Sequence, residues 1–193
     1  MKTTLAFDVY GTLVDPMGMS RLLEQDAGEQ AAAVAGLWRE KQLEFSFRKG
    51  LMRVYEDFGV CTRQALRYAM AVHQLELSKA REDQLMAAYL SLPAFDDALP
   101  ALQALRGQYP LFAFSNGSYS ALEKVLGHNN LLEQFDGLVS SNTWDVIGAR
   151  AAGLSAIWVK RDENRVFEDW GVEPTAVIQS LSQLPESLKA LNT

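Results

Sequence analysis

The sequence predicts an α/β protein in which helices cover a parallel β-sheet and an all-helical segment is inserted after the first strand. A short β-branched and apolar run opens the chain, a long stretch with helical spacing follows, and strand and helix patterns then alternate. Such alternation is typical of a parallel sheet with helices on its faces. We expect a core domain of residues 1–15 and 93–193 and a helical cap domain of residues 16–92.

The first element is expected to be a buried strand over Thr3–Val9, which stops at Gly11 and carries Asp8 near its C-terminal end. From residue 17 to residue 92 the apolar residues recur at helical spacing. Four or five helices are expected there, with breaks near Gly28, Gly50, Gly59-Val60 and Leu75–Ser78.

After Pro93 the chain returns to alternating patterns. A capping box of Ser120 and Glu123 marks the start of one helix. The elements predicted in order are a helix at Asp97–Arg106, a strand at Pro110–Phe114, a helix from Ser120, a strand at Gly137–Ser140, a helix near Trp144–Ala152, strands at Ala156–Val159 and Ala176–Gln179, and a helix at Leu184–Leu191.

The composition is that of a globular protein. The 193 residues include 48% hydrophobic and 22% charged ones, which excludes a disordered chain. A net charge of −6 disfavours nucleic acid or an anionic membrane as a partner, and no apolar run approaches the ~20 residues of a membrane span. Asp8 interrupts the first apolar stretch, so we expect no signal peptide and a cytoplasmic protein. Cys61 is the only cysteine, which excludes a disulfide framework and a cysteine-based zinc site.

Polar residues gather where the predicted strands end. Ligands of an open parallel sheet bind outside the carboxyl ends of its strands. Each of these residues alone also fits a turn or a helix cap, but three strand ends in a row favour a functional site. They are Asp8, then Ser115 and Asn116, then Ser140, Ser141, Asn142 and Asp145.

Three segments resemble motifs of the haloacid dehalogenase superfamily, in the right order along the chain. Residues 8–15 (DVYGTLVD) resemble the first motif, residues 114–117 (FSNG) the second, and residues 140–145 (SSNTWD) with Gly148 and Gly153 the fourth. The cap segment Trp38–Leu43 is similar to the arginine segment of the L-2-haloacid dehalogenases. The resemblance implies a Rossmann-like parallel sheet and carbon–halogen hydrolysis of short L-2-haloacids.

The resemblance also implies a role for each site residue. Asp8 would attack C2 of the haloacid and form an ester, and water would then attack that ester at its aspartyl carbonyl carbon. Asp145 would position or deprotonate the water, and Arg39 would stabilise the halide or anchor the acid. Of the remaining residues, Asn142 and Ser140 would orient carboxylates, Thr12, Ser115 and Asn116 would hydrogen-bond Asp8 or the substrate, and Tyr10, Leu43, Phe58 and Trp144 would form the apolar pocket.

Tyr10 separates a dehalogenase from a phosphatase. The phosphatase branch of the superfamily has an aspartate here, two residues after the nucleophile, as general acid. An alkoxide needs protonation to leave, whereas a halide is a very weak base and needs none. Tyr10 therefore disfavours phosphate-ester hydrolysis, and it weakens the case for Mg²⁺, which relies on carboxylates and substrate phosphate. No cofactor is expected.

The family's third motif, a lysine in a loop after the third strand, has no match between Gly117 and Val139. About 30 residues, roughly one strand-helix unit, are expected to be missing from the core. The family order of strands is 5-4-1-2-3. In the fourth position the strand at Gly137–Ser140 leaves Asp145 beside Asp8, whereas in the third it moves Asp145 about 10 Å away. We favour the fourth position, or a homodimer that exchanges elements.

Without that lysine, Asp8 and Asp145 would repel each other if they lie close together, and one of them would bind a proton more readily. Lys160 and Arg161 are the nearest replacements by position, and Lys124 is another candidate. A non-catalytic or impaired member of the superfamily with an oligomeric role is therefore the alternative to an active dehalogenase. A phosphatase is the third alternative, which Tyr10 disfavours.

Overall fold

The computed structural model describes residues 3–135 and 143–191, with the side chains of residues 143–145 excepted. The chain divides into two compact units. The first comprises residues 1–15, 94–115 and 129–193, and the second comprises residues 16–93 and 116–128. Parallel strands with helices make up the first unit, so the predicted α/β class is confirmed.

Two paired strands of the first unit place Asp8 at the end of a strand. β1 (Leu5–Asp8) pairs in parallel with β2 (Leu111–Phe114), in a register that sets Leu5 opposite Leu111 and Asp8 opposite Phe114. Leu5 and Phe7 are buried and alternate with half-buried residues, as expected for a short strand with its apolar side facing a core. Both strands end at the same edge, so the residues that follow them emerge together.

A second parallel pair consists of β3 (Ile157–Val159) and β4 (Ala176–Ile178). The helix α7 (Thr143–Ala151) precedes β3, and Val146 packs with Ala156 and Trp158 in one apolar cluster. The predicted strand at Gly137–Ser140 lies outside the described residues, so its place in the sheet stays a prediction.

Two helices complete the described part of the first unit. α5 (Ala98–Leu105) packs against α8 (Leu184–Leu191), and the buried leucines Leu102, Leu105 and Leu184 contribute to the core there. The predicted bounds of α8 agree with the structure, and those of α5 differ by one residue at each end.

The second unit is helical in its described residues. It contains α1 (Met19–Ala27), α2 (Ala31–Leu51), α3 (Phe58–Val72), α4 (Lys79–Ala88) and α6 (Tyr119–His128). The break predicted at Gly59-Val60 is wrong, because those residues lie in the first turn of α3. The cap of this helix is Asp57, whose Oδ1 accepts a hydrogen bond of 2.8 Å from the Gly59 N–H.

The division into units differs from the sequence expectation at Pro93, which joins the second unit, and in one longer segment. Residues 116–128, which were assigned to the core domain, cluster with the helices of the second unit. The reason is the packing of α6 against the 3₁₀ turn Tyr89–Ser91. Among the described helices none is long and apolar enough to span a membrane.

Candidate active site

A tight turn follows β1 and places Asp8 at its base. The N–H groups of Leu13 and Val14 both donate to the Val9 carbonyl at 2.9 Å, and the Gly11 N–H donates to the Val14 carbonyl at 2.7 Å. Gly11 has a φ of +103°, which a residue with a side chain rarely adopts. A glycine at this position lets the chain reverse immediately after the strand.

Asp8 is half-buried and is held by Thr12 within the same turn. The Thr12 hydroxyl donates to Asp8 Oδ2 at 3.1 Å, and Thr12 is completely buried. A donor fixed in the protein interior restrains the orientation of the carboxylate that accepts from it. This arrangement suits a carboxylate that attacks a substrate from one defined direction.

The second motif begins at the end of the neighbouring strand. Phe114 is opposite Asp8 in the register, so the half-buried Ser115 emerges at the same strand edge as Asp8. Asn116 is exposed and clusters with the second unit. Tyr10 is buried in the turn, where its backbone forms a bridge with Val14.

Lys160 and Arg161, two of the three candidate replacements for the third-motif lysine, have separate surroundings. The Lys160 ammonium lies 5.7 Å from the ring centroid of Trp158. The Arg161 guanidinium donates through Nη2 to the Thr12 carbonyl at 2.6 Å and through Nη1 to both oxygens of Asp97 at 2.7 and 2.9 Å. Of the two, Arg161 is the cation that binds the turn beside Asp8.

Asp97 joins the segment after β3 to the segment after β4. It stands at the start of α5, yet its side chain makes no capping hydrogen bond there. It accepts hydrogen bonds instead from Arg161, from the Ser180 hydroxyl at 2.7 Å and from the Leu181 N–H at 2.8 Å. Burial acts to raise the pKa of Asp97, but the hydrogen bonds from Arg161 and Ser180 outweigh it and lower that pKa below its usual value.

Arg39 lies on α2 in the second unit, where a buried residue restrains it. Its Nη1 donates to Gln42 Oε1 at 2.8 Å, and Gln42 is completely buried. Leu43 is half-buried on the same helix, and Phe58 is buried at the start of α3. Sequence reasoning missed Gln42, and a polar residue on the apolar side of a helical pattern is the signal that points to it.

Several predicted site residues lie beyond what the structure describes. Ser140 and Asn142 are outside the described residues, and Trp144 and Asp145 are described only as backbone in the first turn of α7. Their assignments stay predictions. Within residues 3–135 and 146–191, no group of three or more His, Cys, Asp or Glu side chains is arranged to hold a metal ion.

The chain has well-defined relatives of known structure and activity. The family model described as haloacid dehalogenase-like hydrolase matches residues 2–145. The (S)-2-haloacid dehalogenase H-109 of Pseudomonas putida is 31% identical, with 95% of this chain and 96% of the relative aligned. A second enzyme, (S)-2-haloacid dehalogenase 2 of a Pseudomonas species (strain CBS-3), is also 31% identical over 95% of this chain and 94% of its own.

Solved structures agree with these relatives. The L-2-haloacid dehalogenase RSc1362 superposes with a TM-score of 0.90 at 28% identity, covering 97% of this chain and 100% of its own. The L-2-haloacid dehalogenase of Xanthobacter autotrophicus with chloropropionic acid covalently bound has a TM-score of 0.90 at 25% identity, covering 98% and 99%.

The alignment to the Pseudomonas putida enzyme spans 217 positions, more than the 193 residues of this chain. That relative therefore carries residues that have no counterpart here. Even so, the family model covers most of the chain. This chain belongs to the haloacid dehalogenase-like hydrolases.

Proposed function

We propose that this hydrolase cleaves the carbon–halogen bond of short L-2-haloacids and releases 2-hydroxyacids. The observation that carries the proposal is the Asp8 carboxylate at the end of β1, hydrogen-bonded by the buried Thr12 and followed by Tyr10 instead of a second carboxylate. The names of the two Pseudomonas relatives support the substrate class. The covalent chloropropionic acid in the Xanthobacter structure supports an ester intermediate.

The proposed reaction has two steps. An Asp8 oxygen forms a bond to C2 of the haloacid as the carbon–halogen bond breaks, and the halide leaves with the bonding electron pair. Water then adds to the aspartyl carbonyl carbon of the ester. The bond between that carbon and the substrate oxygen breaks, so the D-2-hydroxyacid and a proton are released and Asp8 is regenerated.

Tyr10 suits this chemistry because the first step needs no acid. A halide departs as a stable anion, whereas an alkoxide leaving from a phosphate ester needs a proton from a neighbouring acid. The buried tyrosine instead supplies an apolar ring beside the turn. Its position favours a pocket for the alkyl group of the substrate over a site for proton transfer to a leaving oxygen.

The other site assignments are part of the same proposal. Arg39 binds the carboxylate or the departing halide, and its bond to Gln42 supports a fixed guanidinium. Asp145 positions or deprotonates the water of the second step. The remaining proposed residues are Ser115, Asn116, Ser140 and Asn142 as hydrogen-bonding groups, and Leu43, Phe58 and Trp144 with Tyr10 as the pocket.

We further propose a cytoplasmic homodimer that uses residues 16–92 as its cap domain. Support for a dimer comes from β2, whose outer face exposes Phe112 and Phe114 at 61% and 64%. In the described part of the chain β2 pairs with β1 alone, so a second copy can cover this face. Sedimentation of the purified protein tests this: a single species of monomer mass contradicts the dimer and any exchange of elements.

An impaired relative is the second candidate function. The observation that favours it is the alignment length, since the Pseudomonas putida enzyme carries positions that this chain lacks. If the third-motif lysine was among them, the cation beside the two aspartates is lost. The fold would then serve oligomerisation without turnover.

Chloride release from L-2-chloropropionate distinguishes these candidates. The active dehalogenase releases chloride, the variant Asp8→Asn does not, and the intact mass of the wild type shows an ester on residue 8 after rapid acid quenching. Release no greater than that of Asp8→Asn, from a correctly folded sample, would refute the dehalogenase proposal and favour the impaired relative. Hydrolysis of an aryl phosphate with Mg²⁺ would favour a phosphatase.

A further inference from the structure

Arg161 connects the end of β3 to the turn that holds Asp8. Its Nη2 donates to the Thr12 carbonyl at 2.6 Å, while the hydroxyl of the same threonine donates to Asp8 Oδ2 at 3.1 Å. Thr12 is therefore held at its carbonyl by a cation and holds the carboxylate through its side chain. A displacement of Thr12 would change both hydrogen bonds together.

The guanidinium is itself fixed from three sides. Nη1 of Arg161 donates to both oxygens of Asp97. The central carbon of the guanidinium lies 4.2 Å from the ring centroid of Phe95. The Phe95 N–H donates to the Leu13 carbonyl at 2.9 Å, so the ring belongs to a segment bonded to the same turn. Only 18% of the Arg161 side chain is exposed. These contacts leave the guanidinium little freedom to move.

Asp97 extends this support to another part of the chain. Its Oδ2 also accepts from the Ser180 hydroxyl and the Leu181 N–H, both at the start of the 3₁₀ turn Leu181–Gln183. The segments after β1, β3 and β4 therefore meet at one ion pair. Arginine suits this place because its planar fork can bond a carboxylate and a carbonyl at once, which a lysine ammonium cannot do with the same geometry.

We propose that Arg161 is a positioning residue for Asp8 and acts through Thr12. It neither gives nor accepts a proton and does not contact the substrate. It keeps Thr12 where its hydroxyl orients the carboxylate for attack on C2, the first step of the proposed dehalogenation on which this inference rests. A misplacement of about 1 Å at a reacting group lowers a rate about 100-fold, so the effect on ester formation is measurable.

The test measures ester formation in a single turnover. Enzyme in excess is mixed with L-2-chloropropionate, quenched with acid at short times and analysed by intact mass. We expect Arg161→Met to slow ester formation by about 10- to 100-fold. The enzyme concentration that gives half of the maximal rate of ester formation should stay close to the wild-type value, since the proposed effect is on attack and not on binding. Arg161→Lys keeps the charge but not the planar guanidinium, so its rate of ester formation should lie between those of the wild type and Arg161→Met.

Arg81→Met is the matched control. Arg81 lies on α4, and it also pairs with a carboxylate, Asp26, and donates to a backbone carbonyl, that of Leu22. Its side chain is 19% exposed, close to the value for Arg161. Loss of an equivalent ion pair should therefore lower stability similarly while the rate of ester formation per folded molecule is kept. Equal slowing in both variants would overturn the proposal.

A double-mutant cycle with Thr12→Val tests the route through Thr12. Valine removes the hydroxyl that bonds Asp8, so Arg161→Met should add little further slowing to Thr12→Val. If the slowing in the double variant equals the product of the slowing in the two single variants, the proposal is overturned. A wild-type rate of ester formation in Arg161→Met would also overturn it. If Arg161→Met does not fold, Arg161→Lys replaces it in the cycle. Absence of the ester in the wild type would instead refute the proposed dehalogenation, which keeps the two failures apart.

Discussion

Gly11 illustrates how one residue type determines the geometry beside Asp8. Its φ of +103° lies where an L side chain meets its own backbone, and its N–H closes the turn on the Val14 carbonyl. The helix residue Gly36 is a contrasting case, because it has no positive φ and an added Cβ there meets nothing within 4 Å. The two glycines therefore respond in opposite ways to the same substitution.

We predict that Gly11→Ala lowers the free energy of unfolding by about 1–3 kcal/mol, the cost of a strained backbone. Gly36→Ala should raise it by about 0.5–1 kcal/mol, since alanine loses less backbone entropy in a helix. Urea unfolding monitored by circular dichroism measures both. Equal effects of the two substitutions would show that the turn at Gly11 tolerates a side chain.

Asp97 makes stability depend on pH. The bonds from Arg161 and Ser180 outweigh burial and lower the pKa of Asp97 in the folded state, whereas in the unfolded chain its pKa is ordinary, about 3.9. The folded state therefore binds this proton less readily than the unfolded state. The resulting stabilisation is complete above the unfolded pKa and is lost as the pH falls through the folded value.

We predict that Asp97→Asn lowers the free energy of unfolding at pH 7 by about 1–3 kcal/mol, because Arg161 loses its charged partner. The difference from the wild type should shrink as the pH falls below about 4, because the unfolded chain then binds a proton that the folded Asp97, with its lowered pKa, still resists. Unfolding curves at pH 7, 5, 4 and 3 measure this difference. A constant gap over the whole range would mean that the charge of Asp97 does not contribute.

At the scale of elements, a buried polar network joins α2 to α3 and to the turn at Tyr89. Gln42 Nε2 donates to the Thr62 hydroxyl at 2.7 Å, and Gln42 Oε1 accepts from the Tyr89 hydroxyl at 2.9 Å. The Trp38 indole N–H donates to the Thr62 carbonyl at 2.8 Å. Because Gln42 is completely buried, its hydrogen bonds cannot be replaced by bonds to bulk water.

We predict that Gln42→Leu lowers the free energy of unfolding by about 1–3 kcal/mol, since leucine leaves the hydroxyls of the buried Thr62 and Tyr89 without their bonds to the amide. The control is Gln84→Leu on the exposed side of α4, which should change stability by less than about 0.5 kcal/mol. Thermal unfolding of both variants measures the contrast. A Gln42→Leu protein as stable as the wild type would contradict a structural role for the network.

The sequence predicts elements better than it predicts the contacts between them. Local periodicity is sufficient for α8 and for the end of β2 at Phe114, and it places the end of β1 within one residue, because apolar spacing and turn residues are local signals. The break expected at Gly59-Val60 falls inside α3 because Asp57, two residues before the glycine, caps the helix. Partners far apart in the chain, such as Arg161 and Thr12, follow from tertiary packing and leave no signal in spacing.

At the scale of the whole molecule, the alignment to one relative is longer than this chain, which supports the expectation of a shortened core. The Pseudomonas putida enzyme has residues with no counterpart in this chain. Because the third motif is unmatched between Gly117 and Val139, we expect the missing residues in that interval. The exposed Phe112 and Phe114 on β2 fit the loss of an element that covered this face. The same loss would remove the cation that offsets repulsion between Asp8 and Asp145.

Restoring that segment tests both consequences together. We predict that grafting into the interval between Gly117 and Val139 the residues of the Pseudomonas putida enzyme that have no counterpart here, with a lysine among them, raises chloride release at least about tenfold, because a cation beside the aspartates favours the ionised nucleophile. The control carries the same graft with its lysine replaced by methionine, which restores the cover over β2 without the charge. Equal gains from both grafts would assign the benefit to packing, and no gain from either would mean that the short core does not limit catalysis.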